Sequence, residues 1–350
     1  MKSDDSPRRG RRTRSAAGTI RLWPVPLAFA ALAATAAPGS EDDLLGEHRT
    51  RALDPSAVGV GRIAVPAVDA RPHAIETRWS PERPAQGTVF TIRVEPVDVP
   101  LEHVEGEFAG EPLHFRPAAR ADDDGAFTAL AAVPVDAEGE RTLRIHVRTV
   151  PGHRETVERS VPIAPGDYRM EELSVAPRYG GGYDAETRAR ISREYRRAVA
   201  VSRASHDTPR MWEPPFVAPR PTPITSGFGN GRIFNGELQS RHTGTDFAGG
   251  LGAPVRAPAR GIVRLVDAFY LGGNVVYIDH GAGLVTGYLH LSEAVVAEGD
   301  TVDAGTVIGR VGATGRVTGP HLHWIVRYGE ISVDGLSLPG LRDGADAPSP

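Results

Sequence analysis

Three features of the chain predict a mainly β protein: an N-terminal immunoglobulin-like β-sandwich, one connecting amphipathic helix and a C-terminal Gly-rich antiparallel β domain. First, apolar residues alternate with polar ones at Phe90, Ile92 and Val94 and again at Leu143, Ile145 and Val147, the period of half-buried strands. Second, a helical period is evident between Asp184 and Ser205. Third, from Ile224 onward short apolar runs are separated by glycines such as Gly249, Gly250, Gly272, Gly273, Gly281 and Gly283, which mark turns.

At the N-terminus, Lys2, Arg8, Arg9, Arg11, Arg12, Arg14 and Arg21 precede an apolar run from Leu22 to Ala37 that Pro24 and Pro26 interrupt. This is the layout of a secretory signal peptide over 1–37, with Ala34-Thr35-Ala36 as a small-residue cleavage site. The run falls short of the ~20 residues a spanning helix needs, so a cleaved leader is favoured over a membrane anchor. The hydrophobic partners of a twin-arginine leader do not follow the paired arginines closely. Residues 38–71 are rich in Pro, Ala, Gly and charge without a sustained period, and form a linker.

Turn clusters at Asp122-Asp123-Asp124-Gly125 and Glu138-Gly139 divide short strands over 72–164, the expected sandwich. The aspartate triplet lacks the remaining ligands of a calcium loop and is a solvated turn. Residues 165–223 are a linker holding the helix, at about 184–205: Asp184 suits its N-cap, Glu186 its first turn, and Ile191, Tyr195 and Val199 one apolar face. Such a helix is most simply a connector packed between two β-domains. Six prolines between 209 and 223 predict an extended entry strap. The second β-domain is expected over 224–335 and a flexible tail over 336–350.

Composition narrows the chemistry. The 350 residues hold 40 basic and 44 acidic side chains, a net charge of -4 that gives no electrostatic case for nucleic acid. Cysteine is absent, which removes disulfides, thiol nucleophiles and a lipid-bearing cysteine, and leaves only nitrogen and oxygen to hold a metal. Lysine occurs once, at Lys2. Ala253-Pro254-Val255 and Glu298-Gly299-Asp300 have the look of lipoyl-carrier half-repeats, but such carriers need a lysine at a hairpin tip.

His242-Thr243-Gly244-Thr245-Asp246, His290 and His321-Leu322-His323 supply four imidazoles and a carboxylate within the Gly-rich β region. Alternate residues of a strand share a face, so His321 and His323 point one way, as do His242 and Asp246 if that segment is extended, with Gly244 adding no bulk between them. A catalytic Zn²⁺ site wants three protein ligands and an open position. Five candidates compete for three places, and spacing alone does not separate His321 from His323. The remaining histidines, His48, His73, His103, His114, His146, His153 and His206, are ordinary surface or core residues on this reading, and His280 a hairpin residue between two apolar runs.

Ser226-Gly227-Phe228-Gly229, HTGTDFA (242–248), GNVVYIDHG (273–281), GYLHLS (287–292) and TGRVTGPHLHW (314–324) occur in that order. Over roughly 220–335 the chain resembles the lysostaphin-type, LytM-like zinc metallopeptidases that cut peptide bonds in bacterial cell walls. Residues 72–164 more loosely resemble the β-domain that accompanies some of them. The resemblance implies His242, Asp246 and His323 as Zn²⁺ ligands and His290 and His321 as unligated active-site bases, and it places Asn274 and Tyr288 near the cleft as substrate contacts. It departs from the family at Val333-Asp334-Gly335, where Val-Asp-Pro often closes such domains.

The function it implies is zinc-dependent hydrolysis of peptide cross-links in peptidoglycan by metal-activated water, in the periplasm or outside the cell. No stable membrane span is expected after leader cleavage. The alternative is a non-catalytic LytM-like module that binds the wall or activates other hydrolases. The sandwich would serve as spacer, wall binder or cover for the cleft.

Overall fold

A computed structural model describes residues 75–118, 125–150, 152–172, 182–234 and 237–342, all within one unit, Val68–Pro350. The expected leader over 1–37 and linker over 38–71 lie outside the described residues. Among those described, no helix is long and apolar enough to cross a membrane.

The alternating segments form two four-stranded sheets. One orders Ile75–Ser80, Val89–Pro96, Phe127–Ala132 and Arg116–Pro117, and the other Glu111–Leu113, Leu101–Phe108, Glu140–Thr149 and Arg154–Pro162. Phe90, Ile92 and Val94 from the first and Leu143, Ile145 and Val147 from the second share one core, where Phe90 meets Phe108 edge-on at 5.1 Å.

The second part is built on a ten-stranded sheet. Its main path runs Ile224–Ser226, Thr245–Ala248, His321–Tyr328, Leu284–Ala294, Gly273–Gly281, Gly261–Phe269 and Thr301–Val302. The near-continuous apolar run of Gly273–Gly281 follows from burial on both faces. Val276 and Ile278 point into the principal core with Leu322, Trp324 and Val326, while Val275 and Tyr277 point to the other face, against the helix.

The helix spans Ala185–Ala204, and Asp184 caps it by accepting from the Thr187 N–H at 2.7 Å. Its buried face is Ala198, Val199 and Ser202, with Ala198 in one core cluster with Leu265, Phe269 and Val285. The expected stripe through Tyr195 is corrected: that ring is 54% exposed and stands 5.4 Å from the Arg327 guanidinium. Small side chains let the helix approach the sheet closely, which a tyrosine on that face would prevent.

Two boundaries also change. The proline-rich strap is packed: Trp212 and Phe216 are buried in the principal core, and the Met211 N–H donates to His280 O at 2.9 Å. Residues 336–342 of the expected flexible tail are packed, because Asp334 caps a 3-10 turn over Gly335–Ser337, Leu338 is buried, and Phe216 and Ala218 exchange backbone hydrogen bonds with Arg342; residues 343–350 lie outside the described residues. Proline-rich and glycine-rich composition hid these segments, whose order comes from a few large apolar anchors. Val89, Leu130 and Ala132 of the sandwich belong to the same core, and Arg116 and Glu213 pair across the junction.

Candidate metal centre and active site

Register brings the cluster together. Asp246 lies directly opposite His323 on neighbouring antiparallel strands, and His321 lies opposite Ala248. Phe247, Leu322 and Trp324 enter the core, so Asp246, His321 and His323 share the opposite face. His242 precedes the strand Thr245–Ala248 in an irregular segment, so its meeting with Asp246 is made by a turn and not by extended alternation. Its backbone is held by His242 N–H to Asn230 O at 2.8 Å and Gly229 N–H to His242 O at 2.7 Å.

His323 Nδ1 stands 2.7 Å from Asp246 Oδ1 and 2.9 Å from His242 Nε2, which is itself 3.0 Å from Asp246 Oδ1. All three residues are buried, and their donor atoms could hold one metal ion. His321 Nε2 is farther from Asp246 Oδ1, at 3.8 Å. The structure thus separates the two histidines that spacing left equivalent. Burial opposes ionisation of Asp246, but the adjoining His323 and His242 rings prevail and hold its carboxyl well below the usual range.

The tautomers follow from backbone acceptors, because a carbonyl oxygen only accepts. His242 Nδ1 is 2.9 Å from Gly227 O, His290 Nδ1 2.9 Å from Thr314 O, and His321 Nδ1 2.9 Å from Gly319 O. Each Nδ1 therefore carries the proton, and each Nε2 is left to bind a cation or accept a proton. Burial, then the neighbouring His323 and His321 rings, push the His290 pKa down to about 3 and favour its neutral form. The donor set fits a metal: two ring nitrogens and a carboxylate oxygen crowd together, and the His242 nitrogen among them carries no proton.

The expected substrate contacts are placed differently. Tyr288 is fully buried opposite Trp324 on the core face, and its hydroxyl is 2.9 Å from Thr286 Oγ1. Strand parity turned it away from the cleft. The Asn274 side-chain nitrogen donates to Leu291 O and Ser292 O, both at 3.1 Å, so it serves the backbone. His280, expected at a hairpin, is wholly buried there: its Nδ1 donates to Arg260 O at 2.9 Å and its Nε2 accepts from Thr286 at 2.8 Å. Gly227, Thr314 and Gly319 went unnoticed in the sequence as orienting groups, since a main-chain acceptor has no side-chain signature.

The model of peptidase family M23 matches residues 240–335. Peptidoglycan DD-endopeptidase ShyC of Vibrio cholerae is 40% identical over 103 residues, 29% of this chain and 24% of that protein. Peptidoglycan DD-endopeptidase ShyA of the same organism is 44% identical over 100 residues, 28% and 23% of the two chains. The chain therefore spans about a quarter of the length of these relatives. A Pseudomonas aeruginosa crystal structure assigned to peptidase M23 is 26% identical with a TM-score of 0.54, covering 74% of this chain and 96% of that one. All five side chains of the cluster come from within the residues 240–335 that match the model of peptidase family M23.

Proposed function

We propose that the chain is a zinc-dependent endopeptidase that hydrolyses peptide cross-links of bacterial peptidoglycan. The observation carrying this reading is the convergence of His242 Nε2, His323 Nδ1 and Asp246 Oδ1 within 3.0 Å of one another, beside two imidazoles whose Nε2 atoms are left to accept protons. His242, Asp246 and His323 would hold the ion, since two neutral imidazoles and a carboxylate suit zinc and leave net positive charge at the site. When bound, zinc supplies Lewis acidity toward a peptide carbonyl and acidifies water.

His290 and His321 stand with ring centroids 5.0 Å apart. Their locked tautomers let one accept a proton at Nε2 while the other, once protonated, donates to the developing oxyanion or to the leaving amine. Such acid–base help is worth about 10²–10⁴-fold in rate. His321, with 19% of its side chain exposed, is the more accessible of the two. A non-catalytic wall-binding module would need neither the convergence nor the orientation. The names of the two Vibrio cholerae relatives support wall peptide as substrate and the cell envelope, periplasmic or external, as the place of action.

Zinc quantification beside digestion of purified peptidoglycan tests the assignment. His290→Ala and His321→Ala should keep zinc and lose most turnover, while His242→Ala, Asp246→Ala and His323→Ala should lose both. Full zinc occupancy in all three ligand variants would refute it.

A further inference from the structure

Side chains alternate along a strand, so His290 should point with Thr286 and Tyr288 into the core beside Trp324. Its ring instead lies 5.0 Å from His321 and 5.8 Å from His323, centroid to centroid, on the opposite face of the sheet. The inversion occurs at a bulge. Pairing between Gly273–Gly281 and Leu284–Ala294 jumps from Val276 with Tyr288 to Asn274 with Leu291, which leaves Leu289 and His290 opposite Val275 alone. His290 takes φ 63° there, a left-handed conformation costly for a residue with a side chain.

Strain of that kind persists only where its surroundings enforce it, and the enforcing bonds converge on the bulge. The Asn274 amide nitrogen donates to Leu291 O and Ser292 O. The Asn274 main-chain N–H donates to Thr314 Oγ1 at 2.9 Å, and that hydroxyl donates to Leu291 O at 2.8 Å. Thr314 O accepts from His290 Nδ1, and the His290 N–H donates to Gly272 O at 2.8 Å. Two side chains thus fix the backbone on one flank of His290, and the main-chain oxygen of Thr314 fixes the proton on its ring.

We propose that Asn274 and Thr314 are positioning residues that hold the bulge, and thereby set His290 on the catalytic face with its proton on Nδ1. The functional half of the inference rests on the proposed catalytic role of His290. Without the clamp, the bulge relaxes toward regular pairing, which aims the ring at the core, and the ring drifts toward the Nε2–H tautomer that water favours. Either change withdraws the accepting nitrogen.

The test uses the full zinc-loaded chain with ¹⁵N-labelled histidine, the His290 signals being assigned from a His290→Gln spectrum. Wild type and Thr314→Ser should show Nδ1–H at His290. Asn274→Ala and Thr314→Val should shift it toward Nε2–H and lower kcat by about 10²-fold, with KM and zinc content within about twofold. In the double variant with His290→Ala, Asn274→Ala should add less than about twofold to the loss. An unchanged tautomer in both clamp variants, or losses that multiply in full, would overturn the proposal. A tautomer shift with His290→Ala at wild-type speed would instead uphold the clamp and refute the catalytic reading of His290.

Discussion

A single methyl group at residue 244 should weaken metal binding without removing any ligand. A Cβ built on Gly244 would lie 2.6 Å from Trp324 O, 2.7 Å from His323 Cε1 and 2.8 Å from His323 Nε2. Ordinary contact begins at 3.4 Å, so in Gly244→Ala a neighbour must retreat by about 0.7 Å. Trp324 is fixed in the sheet between Thr245 and Tyr288, so the residue 244 backbone must back away from its oxygen and the imidazole must move as well. Metal–ligand distances tolerate about ±0.2 Å, and disturbing a ligand's support typically costs 10–100-fold in affinity, so a loss of about that size is expected. Overpacking adds roughly 1–3 kcal/mol of destabilisation, visible as a lower Tm of the zinc-free protein. Competition against a chromogenic chelator measures the first effect and thermal melting the second. Gly250→Ala, where a Cβ meets nothing within 4 Å, is the control. Zinc affinity in Gly244→Ala equal to wild type would show that residue 244 does not constrain His323, and would remove the steric argument for a glycine there.

Other consequences can be measured with standard assays. Burial lowers the His280 pKa from 6.5 to about 4, so the folded state disfavours the charged form. The stability this contributes is complete above pH 6.5 and falls by up to about 3 kcal/mol as the pH drops to 4. Urea denaturation of His280→Asn should lose that slope, and an unchanged slope would assign it elsewhere. Tyr288→Phe should leave kcat/KM within about twofold while costing about 1 kcal/mol in stability, because its hydroxyl serves Thr286. A large rise in KM would restore it as a substrate contact. A fragment cut to 224–335 should melt well below one spanning 182–342, since it discards the buried Trp212, Phe216 and Leu338, each large-to-small loss costing a few kcal/mol. Equal melting temperatures would show the strap to be dispensable.

Much of the cluster was legible because strand alternation is a two-residue rule: it put His321 and His323 on one face, as the pairing of His323 with Asp246 requires. It also fails in definite places. Parity sends Tyr288 into the core, and only a bulge, invisible without the partner strand, brings His290 out. On the helix, Ile191, Tyr195 and Val199 satisfy a helical period, yet of these only Val199 is buried, and close approach to the sheet adds Ala198 and Ser202. The prolines of the strap over 209–223 gave no sign of its packing, to which the buried Trp212 and Phe216 contribute.

Main-chain oxygens choose which nitrogen bears hydrogen on His242, His290 and His321. No substitution at residue 227 or 319 deletes such an oxygen. The rim of the cleft can therefore change its lining and its taste for ligands while the acid–base state beneath it stays inherited from the path of the backbone.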